Sequence, residues 1–131
     1  MIVLDTNALI LWIGNSNRLS KKAEAVIKQA RKDKAIYISS ISVWEICILV
    51  KKGRLNLNTL ADNWLENIES LPFINFIPLN NEIAVLSVNL PDFFHKDPAD
   101  RIIVATALNL GAKLITSDQK ILNYKKVQTV W

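Results

Sequence analysis

The sequence is poor in the residues that staple small or irregular folds together. A single cysteine, Cys47, among 131 residues excludes a disulfide framework, and a single histidine, His95, leaves no paired Cys and His ligands for zinc. Three glycines and four prolines, set against 50% hydrophobic residues, exclude a disordered or fibrous chain. No apolar run is long enough to span a bilayer, and Met1-Ile2-Val3-Leu4-Asp5 lacks a basic leader and a cleavage site. The expectation is a cytoplasmic protein with no membrane attachment. Cys47, flanked by Ile46, Ile48 and Leu49, is expected to be a core thiol. His95, in a polar stretch, offers it no catalytic partner.

What is present reads as alternating strands and helices. Met1 to Leu4 is an apolar run without alternation, as in a strand buried on both faces of a parallel sheet. Further strands are expected at Ile36–Ser39, Phe73–Pro78, Lys113–Thr116 and Val127–Val130. Helices are expected at Ala8–Ile13, after Ser20, from Ser42 to about Lys52, at Asn58–Ser70 and Asn80–Leu90, with a short turn through Leu122. The clearest helix runs from Pro98 to Leu110: Asp97 suits the N-cap, Pro98 the first helical position and Gly111 the residue that stops it. This order predicts one domain over residues 1–131. Its class is α/β, a three-layer sandwich with a central parallel sheet flanked by helices.

Four acids recur at equivalent places in that scheme. Asp5 and Asp118 each follow a strand directly, and Glu45 and Asp100 each lie early in a helix. In an open parallel sheet such junctions share the edge outside the carboxyl ends of the strands, where these folds place their sites. Each acid also has a plain explanation. Asp97 and Asp100 complement a helix dipole, Asp5 and Asp118 suit turns or caps, and Ser42-Val43-Trp44-Glu45 fits a capping box. Taken jointly, carboxylates packed in one recess repel one another, and divalent cations resolve that conflict. Hard oxygen ligands favour Mg²⁺ or Mn²⁺, and such a site supports phosphodiester hydrolysis. Thr6, Thr116 and Ser117 are placed to orient a carboxylate or a water.

Charge fits the same chemistry. The formal net charge is +4, and with the four acids set aside as one cluster the remaining sixteen basic side chains face eight acidic ones, a balance of +8. A surface of that sign suits a polyanion, although Lys21, Lys22, Lys28, Arg31, Lys32 and Lys34 equally read as the solvated face of one helix and its exit loop. Four tryptophans, Trp12, Trp44, Trp64 and Trp131, are many for this length, most of them expected in the core and one or two at an interface.

Four segments together resemble the PIN-domain ribonucleases, and within them the VapC-type toxins of bacterial toxin–antitoxin pairs: Met1-Ile2-Val3-Leu4-Asp5-Thr6-Asn7, Ser42-Val43-Trp44-Glu45, Asp97-Pro98-Ala99-Asp100-Arg101-Ile102-Ile103-Val104-Ala105-Thr106-Ala107 and Leu114-Ile115-Thr116-Ser117-Asp118. The likeness covers essentially the whole chain. It implies a catalytic Mg²⁺ or Mn²⁺ site in which Asp5, Asp100 and Asp118 are ligands and Glu45 is a ligand or water-positioning base. It further implies endonucleolytic cleavage of RNA such as transfer or ribosomal RNA, a homodimer, and inhibition by a cognate antitoxin. Arg101 matches the pattern with a structural or phosphate-directed role. The competing expectations are a catalytically silent RNA-binding or scaffold domain of the same fold and a phosphate-handling receiver-like domain. The last is disfavoured because no lysine is placed to accompany an acceptor aspartate.

Overall fold

The computed structural model describes residues 1–92 and 94–131. In chain order the elements are β1 (Ile2–Leu4), α1 (Thr6–Ile13), α2 (Lys21–Lys32), β2 (Ile36–Ser39), α3 (Ser40–Lys51), α4 (Ala61–Glu69), β3 (Ile74–Ile77), α5 (Asn81–Asn89), α6 (Pro98–Leu110), β4 (Lys113–Ile115), α7 (Gln119–Asn123) and β5 (Thr129–Val130). The strands form one parallel sheet in the order β3-β2-β1-β4-β5, with Leu4 in register with Ile38 on one side and Ile115 on the other.

Because successive side chains of a strand point to opposite faces, the apolar runs feed two separate layers. Ile2, Leu4, Ile36 and Ile38 join Leu9, Ile27, Ile46 and Trp64 in one cluster. Val3 and Leu114 join Ile103, Val104, Ala107, Ile121 and Val127 in the other. Each fully buried Leu or Ile contributes about 1.5–3 kcal/mol of hydrophobic stabilisation, so a strand of three such residues is anchored from both sides. That is why β1 reads as an unbroken apolar run.

Helix boundaries follow local capping. The Asp97 side chain caps α6, Pro98 opens it, and Gly111 closes it in the left-handed conformation at φ 64°. Asp5 caps α1, which begins at Thr6, two residues before the expected start at Ala8. Asn58, expected to open α4, instead has φ 59° and closes a tight turn through its amide on Asn56 Oδ1, so the helix begins at Ala61.

Two expectations are corrected in α3. The helix starts at Ser40 with Ser39 as its cap, which puts Glu45 in the second turn, so Ser42 and Glu45 form no capping box. Cys47 is exposed rather than buried, because the inward stripe of α3 runs through Ser42 and Ile46, and one residue further on is about 100° around the axis. Among the tryptophans, Trp64 is buried, Trp12 and Trp131 pack partly buried against the first apolar cluster, and Trp44 is 58% exposed. No helix among the described residues is long and apolar enough to cross a membrane.

Candidate functional site

The chain runs outward from β1 through β2 to β3, then returns past β1 to β4 and β5. That reversal opens a crevice at the carboxyl ends of β1 and β4. Asp5 follows β1 and Asp118 follows β4 after two further residues, while α3 brings Glu45 and α6 brings Asp100 to the same edge. All four line one cavity of about 330 Å³, together with Thr6, Asn7, Ile10, Leu49 and Ser117.

The caps and the cavity use the same side chains. Asp5 Oδ1 accepts from the Ala8 amide at 2.7 Å, and Asp118 Oδ1 accepts from the Ile121 amide at 3.1 Å. In Asp118 the other oxygen, Oδ2, is turned to His95. Glu45 Oε1 is 2.5 Å from Thr6 Oγ1, which is in turn 2.9 Å from Ser42 Oγ, so a buried hydroxyl pair fixes this carboxylate. Thr116, fully buried, hydrogen-bonds to Asp5 and accepts the Asp118 amide at 3.0 Å. Ser117 Oγ accepts from Asn7 Nδ2 at 3.4 Å.

Crowding of like charges shows in the proton affinities. Burial raises the Asp5 carboxyl above the ordinary range, with Asp118 and Glu45 adding to it and the Thr116 bond opposing it. Burial raises Glu45 too, against the Thr6 bond and with help from Asp97. Asp100 is pushed up to about 7, chiefly by desolvation, with Asp97, Glu45 and Asp118 reinforcing and His95 opposing. Three acids that resist ionisation in one recess fit a bound cation, which would offset both the dehydration and the repulsion. The donors are hard oxygens, which suits Mg²⁺ or Mn²⁺.

Two neighbours of the recess take roles that the sequence left open or hid. Arg101 turns away from it: Nε bonds the Ser87 carbonyl, Nη1 those of Pro91 and His95, and Nη2 those of Val88 and Leu90, at 2.6–3.2 Å. A guanidinium has five N–H donors, and all five are committed, so Arg101 is structural and holds no phosphate. His95, read from the sequence as a polar-loop residue, has a side chain only 9% exposed, with Nε2 3.1 Å from Asp100 Oδ2 and 3.3 Å from Asp118 Oδ2. Among the described residues these three are the one group whose possible metal-ligating atoms, one from each side chain, all lie within 4.8 Å of one another. Nothing in the sequence neighbourhood of His95 marks it for this place. His95 also borders a larger cavity, about 590 Å³, lined by Leu79, Ala84, Val88, Pro98 and Ile102. That cavity is wider, but among the described residues its only carboxylate is Asp92, whereas the smaller recess gathers four.

Known proteins share this architecture. The chain is 29% identical to Ribonuclease VapC22 of Mycobacterium tuberculosis over 132 aligned positions, covering 99% of this chain and 98% of the relative. It superposes with a TM-score of 0.73 on a chain of the VapBC2 complex from Rickettsia felis bound to a promoter DNA fragment, at 20% identity and covering 99% of this chain and 98% of that one. With FitAcB from Neisseria gonorrhoeae the TM-score is 0.69 at 23% identity, covering 100% and 97%. The PIN domain profile matches residues 2–127, a span that includes both strand-end aspartates and both helix-borne acids, and the chain therefore belongs to the PIN-domain family.

Proposed function

We propose that this chain is a Mg²⁺- or Mn²⁺-dependent endoribonuclease, the toxin of a toxin–antitoxin pair, with residues 1–131 acting as one nuclease domain. The observation that carries the reading is the convergence of Asp5, Glu45, Asp100 and Asp118 on one recess at the sheet's switch point. Full-length similarity to a ribonuclease supports the substrate class, and the fold shared with a toxin–antitoxin complex from Klebsiella pneumoniae supports a protein partner.

In this reading Asp5, Asp100 and Asp118 hold the cation, and Glu45 completes the set or positions the water. When bound, the ion polarises a phosphoryl oxygen and lowers the pKa of a coordinated water. The protein's own part is orientation. Thr6 fixes Glu45 so that its free oxygen aligns a water and takes its proton as the water oxygen attacks phosphorus. The bond to the leaving ribose oxygen breaks on the opposite side, and that oxygen takes up a proton. Thr116 and the helix caps keep Asp5 and Asp118 from turning out of the recess.

The test is Asp5→Asn and Asp100→Asn, each isosteric and each removing one charge. RNA cleavage and growth arrest on expression should be lost while circular dichroism shows the fold retained. Cleavage preserved in both variants rejects the nuclease reading. A silent domain of the same fold would instead show no binding of Mn²⁺ in isothermal titration.

A further inference from the structure

We propose that His95 is a positioning residue of the acidic recess, a fixed hydrogen-bond donor that clasps Asp100 to Asp118 from outside the ligand set. The inference rests on the proposed metal site but concerns this chain's own geometry. The imidazole is held at both nitrogens. The Asp97 amide donates to Nδ1 at 3.1 Å, so Nδ1 carries a lone pair and the ring proton resides on Nε2. Nε2 faces Asp100 Oδ2 at 3.1 Å and Asp118 Oδ2 at 3.3 Å. A lone N–H shared between two carboxylate oxygens draws them together, whereas a ligand to a metal would need the lone pair that this nitrogen lacks.

Placement agrees with that assignment. His95 is absent from the lining of the acidic cavity and borders the neighbouring one, so the ring reaches the two carboxylates from behind. Its own carbonyl is pinned by Arg101 Nη1 at 3.0 Å, and its ring packs edge-on against Phe94 with centroids 5.8 Å apart. The backbone at His95 is thereby held in the conformation that aims Nε2 at the acids. The consequence is a division of labour. One Oδ2 from β4's end and one from α6 are held at a fixed separation by a neutral donor, which leaves their remaining lone pairs for the cation.

His95 is the only histidine in the chain, so its ring can be observed without ambiguity. Long-range ¹H–¹⁵N correlation on the metal-free protein at neutral pH should show Nε2 protonated and Nδ1 bare. A ring protonated on Nδ1 overturns the inference, whether or not metal binds. Spin-echo modulation of the Mn²⁺ complex should show no directly coordinated nitrogen, and a strong ¹⁴N coupling overturns it likewise. His95→Ala should weaken Mn²⁺ binding by about tenfold or more in isothermal titration, with His95→Gln, which restores a donor near the Nε2 position, returning most of the affinity. Equal loss in both variants counts against the donor role. Absence of Mn²⁺ binding by the unaltered protein would instead sink the proposed function, and the tautomer measurement would still decide the state of the ring.

Discussion

At the scale of single residues, the recess stores electrostatic stress that pH exposes. Asp5, Glu45 and Asp100 all bind protons more tightly in the folded chain than free carboxyls do, Asp100 up to about 7 from 3.8. Between those values the folded state holds more protons than the unfolded state, so stability falls as pH rises through the window. The metal-free protein should melt at a lower temperature near pH 7 than near pH 5, and Asp100→Asn should flatten that trend. Saturating Mn²⁺ should reverse it, because the cation binds the ionised set and competes with protons. Melting curves in chelator across this range check the sign, and a trend unchanged by Asp100→Asn contradicts the origin assigned to it. The same residues show why the site was only half legible in the sequence. Asp5 and Asp118 are helix caps, as their positions suggested, and they also line the recess, since a carboxylate has two oxygens and a cap uses one. His95 was illegible, because its partners lie five and 23 residues away and meet it only through the folded loop.

At the scale of elements, the least expected construction is the end of α5. This helix has no glycine to close it, and its last carbonyls, with those of the following loop, are gathered by Arg101 from the first turn of α6. Arg101 thereby ties the cap of one helix to the start of the next and to the loop that carries His95. Arg101→Lys keeps the charge but offers three donors from a point instead of five in a plane. It should cost about 2 kcal/mol or more in urea unfolding, since hydrogen bonds to a charged donor are lost at partly buried carbonyls. Arg101→Lys without measurable loss of stability would reassign the side chain. Elements bounded by strong local chemistry were legible in advance: α6 begins and ends where Asp97, Pro98 and Gly111 dictate, β1 stands where an apolar run without alternation placed it, and β2 and β4 lie within the short strands expected there. Boundaries set by tertiary context were not. Ser39, at the end of β2, caps α3 before Ser42 has the chance, and the Thr6 hydroxyl, 39 residues from Glu45 in sequence, takes the partnership that a capping box would have supplied.

At the scale of the whole molecule, charge is sorted by depth. Four acids are drawn into the recess of a chain whose net charge is +4, while Lys21, Lys22, Lys28, Arg31, Lys32 and Lys34 are all exposed on α2 and its exit. On the proposed function, the exterior should attract an RNA chain and the metal-free recess should repel it, so affinity should depend on both salt and the divalent cation. If about four phosphates are neutralised, raising monovalent salt fourfold should weaken binding of a single-stranded RNA by about 50-fold, from a slope of about 0.7 per contact. Chelation should weaken it further by restoring the repulsion inside the recess. The decisive comparison is Asp5→Asn with Asp100→Asn in one chain, measured with a 2′-O-methylated RNA that resists cleavage. Without divalent cation the doubly substituted protein should bind that RNA more tightly than the unaltered one, even though it cannot cut. Filter binding across salt and chelator conditions reads this directly, and equal binding by the two proteins in chelator would mean that RNA does not approach these carboxylates at all.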